Sequence, residues 1–389
     1  MSATRQVLRP KVAIVGAGPA GLSAAAELGR TYAGDVLVLD RERDAGGIPR
    51  HSDHTGYGLR DLRRVMTGPS YAKLLTSRAA HSGVTLRTEA MVTGCRVGPG
   101  GVSLVLDVTT PAGLLHVEPA AVVLATGARE RPRTARRIPG DRPGGVLTTG
   151  LLQNLVHLNH QRVGQRAVVV GSELVSWFTV VTLRGAGCRT VMMVTAAGHA
   201  ESYLAFTAFG RAGLGVGVTT RTRVVRIIGR GRVTGVEVQN LRDGSRRVVA
   251  CDTVVFTGDW IPDHELARTA GLAMDPGTQG PAVDPLLRTS VGGVFAAGNL
   301  VHPVDTADVA AVDGRHVAES VRRYLGSGPH GPTWGGHSRL RLVADDPFRW
   351  VSPNILDAGA HSPARGTLLL WPTQLVRFPS LRPARTAGS

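Results

Sequence analysis

The chain has 389 residues, a formal net charge of +16 and a hydrophobic content of 42%. This length exceeds one typical domain, so we expect two or three domains with sizeable cores. Arginine supplies almost all of the positive charge, because only Lys11 and Lys73 are lysines, and the arginines are scattered. With aromatic residues at 4% and no stacking pattern, the composition argues against nucleic-acid binding.

The three cysteines, Cys95, Cys188 and Cys251, are far apart and form no Cys-x-x-Cys motif. This spacing argues against a local dithiol, an iron–sulfur cluster and a cysteine-based zinc site, so we predict no metal. Buried thiols fit a reducing cytoplasm. The apolar stretch 12–28 is broken by glycine and proline and contains Glu27, which argues against a signal peptide or a membrane span. We therefore expect a cytoplasmic protein.

The first predicted element is a strand–turn–helix at residues 12–28. An apolar strand, Val12 to Val15, enters a glycine turn from which an alanine-rich helix leaves. Gly16 permits the tight turn, Gly18 lets a pyrophosphate approach the backbone, and Gly21 lets helix and strand pack closely. The N-terminus of the helix adds unpaired N–H groups and the positive end of its dipole.

A second predicted strand ends at Asp40, 19 residues after Gly21. A carboxylate at this point can hold the ribose hydroxyls of a dinucleotide. Strand, glycine triplet, helix and acid occur in the order that a dinucleotide site requires. The alternative is a glycine-rich packing turn in an α/β domain.

The second half of the chain repeats this architecture in a degenerate form. A strand–turn–helix begins at 167–171, a meander follows at 222–250, and residues 253–258 repeat the form of 122–127. We predict an α/β fold with two Rossmann-like dinucleotide-binding domains, the second inserted in the first. Short apolar runs beyond residue 337 predict a small β-rich C-terminal extension.

These motifs resemble those of the FAD-dependent pyridine nucleotide-disulfide oxidoreductases, flavoproteins with two dinucleotide-binding domains. The chain looks most similar to bacterial branches related to the FAD-binding subunits of amine and opine dehydrogenases. The resemblance spans about residues 10–325. It rests on the glycine triplet with Asp40, then Gly46-Gly47, then Ala125-Thr126-Gly127 with Pro132, and finally Gly298-Asn299.

The resemblance implies a domain order along the chain. An FAD-binding domain would take residues 1–127 and 259–326, with an NAD(P)-binding-like domain at 128–258 between its two parts. A linker at 327–337 would lead to the extension at 338–389.

The resemblance also implies an FAD site built from separate segments. The glycine turn would hold the pyrophosphate, and residues after the second strand would contact the adenosine half. The Gly-Asn pair, where the family usually has Gly-Asp, would bond the ribityl or phosphate region without a charge. The residues implied are Gly16, Gly18, Pro19, Ala20, Gly21, Asp40, Arg41, Gly47, Val92, Ala125, Thr126, Gly127, Gly298, Asn299 and Asp308, the last at the start of a helix aimed at the flavin.

The second glycine turn departs from the pattern. Gly171 is followed by Glu173 and Ser176 where a dinucleotide site has glycines, and no arginine pair follows the strand at 191–195 to receive an NADP phosphate. A carboxylate repels a pyrophosphate. We predict that NAD(P) binds poorly or not at all, unless Glu173 turns outward and a nicotinamide enters by another route.

Candidate chemistry follows the Gly46-Gly47 segment, which approaches the flavin in this fold. His51 and His54 are candidates to take a proton from an amine or alcohol as its hydride leaves for the flavin. His302, which lies between the Gly-Asn pair and the last helix, is a third candidate. The alternative is that these side chains bond backbone groups.

We therefore predict an FAD-dependent oxidoreductase that oxidises a small amine, amino acid or alcohol without a redox-active dithiol. Two alternatives stay open: an FAD-carrying electron-transfer subunit of a heteromeric dehydrogenase, and an NAD(P)H-dependent flavoprotein reductase. The acceptor would be oxygen, a quinone or a protein partner, and a homodimer is an open alternative.

Overall fold

The computed structural model describes residues 6–98, 103–303, 305–327, 339–357, 367–373 and 376. Two five-stranded parallel sheets organise the chain, one in a first domain and one in a domain inserted into it. The predicted α/β class with two Rossmann-like domains is therefore confirmed.

The first part of the first domain runs to residue 124 and includes a 3₁₀ helix at Ile48–His51. Its strands and helices are β1 (Gln6–Leu8), β2 (Val12–Val15), α1 (Pro19–Gly29), β3 (Val36–Leu39), β4 (Thr55–Tyr57), β5 (Met66–Thr67), α2 (Gly68–His81), β6 (Thr85–Arg87), β7 (Met91–Val97), β8 (Leu104–Thr110), β9 (Gly113–Val117) and β10 (Ala121–Leu124).

The inserted domain and its connections follow, with a π-helical turn at Asn154–Leu158. Its elements are β11 (Ala128–Glu130), β12 (Val146–Thr148), α3 (Thr149–Gln153), β13 (Arg166–Val170), α4 (Leu174–Gly185), β14 (Arg189–Val194), α5 (Leu204–Gly213), β15 (Val218–Thr219), β16 (Thr222–Ile228), β17 (Gly235–Asn240), β18 (Arg246–Ala250), β19 (Thr253–Phe256) and β20 (Trp260–Pro262).

The chain then returns to the first domain and ends in the C-terminal extension. The remaining elements are α6 (Glu265–Thr269), β21 (Val294–Ala296), α7 (Ala307–Gly326), β22 (Arg339–Arg341), β23 (Phe348–Ser352), β24 (Ile355–Asp357) and β25 (Leu369–Pro372). The predicted linker at 327–337 lies outside the described residues except for Ser327. Of the short apolar runs that predict strands in the extension, the last, at 375–378, also lies outside them except for residue 376.

The first sheet has the strand order β21-β10-β2-β3-β6, and all its neighbours are parallel. Strands β2, β3 and β10 are apolar and buried along their whole length, because helices or other strands cover both faces of such a sheet. Helix α1 packs against α7 so closely that a Cβ on Gly314 would lie 2.1 Å from the Ala20 carbonyl oxygen.

The inserted domain has the order β12-β19-β13-β14-β15 and an antiparallel meander β16-β17-β18. A two-stranded ribbon, β11 with β20, joins it to the first domain. The extension docks on the first domain through Asn354 and Ile355, whose N–H groups both donate to the Val283 carbonyl at 3.1 Å. Among the described residues, no helix is both long and apolar enough to cross a membrane.

Candidate functional site

The glycine turn between β2 and α1 is closed on one side and open on the other. Gly16 has a φ of +104°, and a Cβ there would lie 2.4 Å from the Ala125 carbonyl oxygen, so only glycine fits. A Cβ on Gly21 would lie 1.8 Å from the Gly16 carbonyl oxygen. At Gly18, in contrast, a Cβ would meet nothing within 4 Å. The turn therefore leaves free space at the start of α1.

The N-terminus of α1 presents hydrogen-bond donors at this end of the helix. Helix α1 begins at Pro19, and the Leu22 N–H donates to the Gly18 carbonyl at 2.9 Å. The N–H groups of Ala20 and Gly21 precede this first bond and have no acceptor within the helix. With the positive end of the helix dipole, they can bind a phosphate.

Asp40, which follows β3, bonds the glycine turn. Its Oδ2 accepts the Ala17 N–H at 2.5 Å, and its Oδ1 accepts the Glu42 N–H at 2.8 Å. Each carboxylate oxygen keeps a second acceptor position, so Asp40 can hold the turn and still bond a ribose hydroxyl. The neighbouring Arg41 is exposed and pairs with Asp263 Oδ2 at 3.2 Å.

Two distant glycine segments approach the same end of α1. Gly47 has a φ of +63°, and a Cβ there would lie 2.9 Å from the Gly18 Cα. Gly298 has a φ of +72°, and its Cβ would lie 2.8 Å from the Ala20 Cβ. Glycine at both positions therefore lets these backbones reach the glycine turn and the start of α1, which together form the first nucleotide cradle.

The predicted crossover segment, Ala125 to Gly127, leads from β10 to the ribbon. Ala125 N–H donates to the Val15 carbonyl at 2.8 Å, beside the turn. Thr126 Oγ1 donates to the Asp263 carbonyl at 2.7 Å, and Gly127 accepts the Asp263 N–H at 2.9 Å. Val92 is buried in β7, on the neighbouring four-stranded sheet.

Asn299 carries an unsatisfied acceptor. Its Nδ2 donates to the Asp305 carbonyl at 3.0 Å, whereas its Oδ1 is buried and has no hydrogen-bond partner among the described residues. A buried acceptor without a donor is costly, and a ligand hydroxyl would satisfy it. Free space at Gly18, unpaired N–H groups on α1 and this orphaned oxygen together fit FAD.

Asp308, predicted to contact the cofactor, also bonds a loop of the first domain. It is 3% exposed, and its carboxylate accepts the N–H groups of Gly58 and Arg60, both at 2.8 Å. The side chain therefore holds the loop between β4 and β5. A direct contact between Asp308 and the cofactor stays a prediction.

His302, predicted as a catalytic candidate, is also engaged. It is 1% exposed. Its Nδ1 pairs with Asp305 at 2.9 Å, and its Nε2 pairs with Asp313. Burial opposes protonation, but the carboxylates of Asp313 and Asp305 outweigh it and raise the pKa of His302 to about 9. The ring is held by these two carboxylates, and a catalytic role for His302 stays a prediction.

His51 ends the 3₁₀ helix and contacts the inserted domain. Its ring bonds the side chain of Gln153 in α3, which also accepts a hydrogen bond from Ser52 Oγ at 3.1 Å. Burial and the nearby Arg50 lower the pKa of His51 to about 4, so the ring is neutral at pH 7. Its Nδ1 is buried and has no partner within the described part of the chain.

His54 lies between aromatic side chains. Its ring stacks on Phe178 of α4 with 3.5 Å between centroids, and Tyr57 lies on a tilted plane 5.3 Å away. Nδ1 bonds the Thr55 carbonyl at 2.9 Å, so the neutral ring carries its proton there and leaves the Nε2 lone pair as an acceptor. Burial lowers the pKa of His54.

Phe178 and Gln153 were not found from the sequence, because nothing in their local pattern indicates contact with this loop.

The second cradle, between β13 and α4, is filled by side chains. Glu173 Oε2 accepts the Ser172 N–H at 2.9 Å, and Oε1 lies 3.0 Å from where a Cβ on Gly258 would stand. Ser176 Oγ bonds Thr257 Oγ1 at 2.7 Å. Burial raises the pKa of Glu173. The carboxylate therefore lies over the turn rather than outward.

The three cysteines are buried in separate positions of the fold. Burial raises the pKa of Cys95, Cys188 and Cys251 to about 11 each. Thiols with such pKa values carry little thiolate at pH 7 and are poor nucleophiles.

The first domain has a complete dinucleotide cradle, and the inserted α/β domain has a second cradle, which side chains fill. This arrangement defines a class, the two-domain FAD-dependent oxidoreductases. A model of the pyridine nucleotide-disulphide oxidoreductase family matches residues 10–314. The chain belongs to this family.

Among curated proteins, the chain is 27% identical over 336 residues to an opine oxidase subunit of Agrobacterium tumefaciens (strain Ach5), covering 78% of this chain and 64% of the relative. It is 30% identical over 219 residues to the alpha subunit of sarcosine oxidase from Corynebacterium sp. (strain P-1), covering 55% and 22%. The chain therefore spans less than two thirds of either relative.

Among solved structures, thioredoxin reductase of T. acidophilum has a TM-score of 0.66 at 24% identity, covering 82% of this chain and 99% of its own. L-proline dehydrogenase of P. horikoshii has a TM-score of 0.61 at 18% identity, covering 84% and 57%. These similarities show the fold.

Proposed function

We propose that this FAD-dependent oxidoreductase oxidises a small amine, amino acid or alcohol directly, without NAD(P)H and without a redox-active dithiol. The observation that carries the proposal is the carboxylate of Glu173 in the second cradle. Three buried thiols of raised pKa support the absence of disulfide chemistry.

The argument against NAD(P) is electrostatic and steric. Two like charges about 4 Å apart repel by about 1 kcal/mol in water and by several times more when partly buried. Glu173 bonds its own turn, and Ser176 with Thr257 fills the space beside it. A pyrophosphate would have to displace this network.

The substrate side of the reaction needs a proton acceptor. FAD would supply the two-electron acceptor, taking a hydride from the carbon next to the substrate nitrogen or oxygen. We assign the accompanying proton to Nε2 of His54, whose tautomer is set by the Thr55 carbonyl. Gly47, which begins this loop, packs on the cradle glycine Gly18, and that contact supports the assignment.

A second candidate is an electron-transfer subunit whose partner holds the substrate site. The relatives support it, because the opine oxidase and sarcosine oxidase proteins that the chain resembles are both named as subunits. Their names also place opines and sarcosine among the substrates to test here.

Anaerobic absorbance of the purified yellow protein tests these proposals. We would add NADH, then NADPH, then sarcosine, opines, other amines and hydroxy acids. Bleaching by an organic substrate and not by NADPH supports direct oxidation. Rapid bleaching by NADPH contradicts it and favours a reductase. Bleaching only when a co-purifying protein is added favours the electron-transfer role.

A further inference from the structure

One carboxylate of α7, that of Asp313, contacts both ends of the turn that follows β21. Its Oδ2 accepts the Gly298 N–H at 3.1 Å and also pairs with Nε2 of His302. Asp313 is 2% exposed and His302 is 1% exposed. The two side chains therefore form a buried, charged pair directly behind the Gly298-Asn299 turn.

Two further contacts close a ring around Asn299. His302 pairs through Nδ1 with the Asp305 carboxylate at 2.9 Å, and the Asp305 carbonyl accepts the Nδ2 of Asn299 at 3.0 Å. Asp313 fixes the backbone one residue before Asn299. Both the backbone and the amide of Asn299 are thereby held.

The turn itself has little freedom to move. A Cβ on Gly298 would lie 2.8 Å from the Ala20 Cβ, so the turn packs on the first residues of α1. A buried ion pair contributes little net stability, because desolvation offsets its attraction, and an apolar pair of the same volume is often as stable. Its use here is geometric: it orients the turn that presents the unsatisfied Oδ1 of Asn299.

We propose that His302 and Asp313 are positioning residues that hold Asn299 Oδ1 as the acceptor for a hydroxyl of the FAD ribityl chain. The proposal rests on FAD as the cofactor and not on the identity of the substrate. If the wild-type chain takes up no FAD, the proposed function fails; if it binds FAD normally, the positioning role is tested separately.

A double-mutant cycle with FAD affinity as the readout tests it. Asn299→Ala removes one hydrogen bond and should weaken FAD binding by about 10-fold. Asp313→Asn should weaken it by a similar factor in the wild-type background and by less than about 2-fold in the Asn299→Ala background. Losses that multiply to about 100-fold in the double variant would overturn the proposal, because Asp313 would then act independently of Asn299.

Controls separate positioning from a general loss of folding. Asp275→Asn alters another buried carboxylate, which accepts the Thr278 N–H at 2.7 Å, and should leave FAD affinity unchanged. If Asp313→Asn does not fold, His302→Gln takes its place in the cycle, because glutamine can keep the donation to Asp313 but loses the contact with Asp305 and the positive charge. Additive losses for His302→Gln and Asn299→Ala would equally contradict the proposal.

Discussion

The imidazole of His54 lies flat on the ring of Phe178, with 3.5 Å between centroids and 5° between planes. His54 belongs to the loop that starts at the first cradle, and Phe178 belongs to α4 of the inserted domain. Gln153 makes a second junction through Ser52 and His51. The candidate acid–base residues therefore owe their environment to the packing of one domain against the other.

Phe178→Ala should raise the pKa of His54 toward its ordinary value. Burial is the main cause of the lowered pKa, and the substitution removes the ring that covers the imidazole. Because Phe178 is half-buried, we expect a loss of about 1–3 kcal/mol in the free energy of unfolding. Histidine titration by NMR and urea unfolding would measure both.

Phe209→Ala is the matched control, because Phe209 is 60% exposed on α5 of the same domain. Phe209→Ala should leave the pKa of His54 unchanged, and it should lower the free energy of unfolding less than Phe178→Ala does. An unchanged His54 pKa in Phe178→Ala would contradict the stacking contact.

Gly18→Ala should separate cofactor binding from folding. Gly18 has an ordinary φ of −81° and free space where a Cβ would point, so the apoprotein should keep its stability. A pyrophosphate in that space would collide with the methyl group, and FAD affinity should fall about 10- to 100-fold. Flavin fluorescence titration and apoprotein melting give the two readouts.

Gly185→Ala provides the comparison, since a Cβ on Gly185 in α4 also meets nothing within 4 Å. This variant should bind FAD as tightly as the wild type. If Gly18→Ala does so too, the phosphate does not lie at the start of α1.

Glu173→Gln should strengthen NADPH binding by about 10-fold, because it removes a like charge while keeping the volume of the side chain. Glu173→Gly should strengthen binding further, since it also opens the turn. Dissociation constants from equilibrium dialysis would measure both, with Glu237→Gln on β17 as the control. If neither variant gains affinity, the Ser176–Thr257 contact rather than the carboxylate closes the site.

His51 should give the protein an acid-sensitive stability. Its pKa is about 4 in the folded chain against an ordinary 6.5, so the unfolded chain binds more protons between these values. The contribution of His51 is therefore complete above pH 6.5 and is lost as the pH falls toward 4. The free energy of unfolding, measured with urea at a series of pH values, should fall less steeply below pH 6.5 in His51→Gln than in the wild type. Identical slopes would refute the prediction.

His302 should give the protein a stability that decreases at alkaline pH. Its folded pKa of about 9 lies above the ordinary value, so the folded chain binds the extra proton. The contribution of His302 is complete below pH 6.5 and is lost as the pH rises through 9. In the same urea experiment, the free energy of unfolding should depend less on pH between pH 7 and 9 in His302→Gln than in the wild type. An unchanged slope over this range would contradict the prediction that His302 is protonated in the folded chain.

Two predicted site residues show what reasoning from the sequence could not supply. Asp308 and His302 lie close to the Gly298-Asn299 turn along the chain, and that proximity placed both at the flavin. The direction of a side chain, however, depends on what packs against it. Asp308 turns to backbone N–H groups 250 and 248 residues earlier, and His302 turns to a carboxylate on the next helix.

The sequence by itself determined the elements whose causes are local. Gly16, Gly18 and Gly21 encode a turn through the sterics of adjacent residues, and the unbroken apolar runs of β2, β3 and β10 encode buried parallel strands. Only the tertiary structure decided the partners and ionisation of His51, His54 and the buried His302–Asp313 pair. Those properties depend on burial and on contacts between residues far apart in the chain, such as Ser52 with Gln153 and His54 with Phe178, which no local pattern specifies.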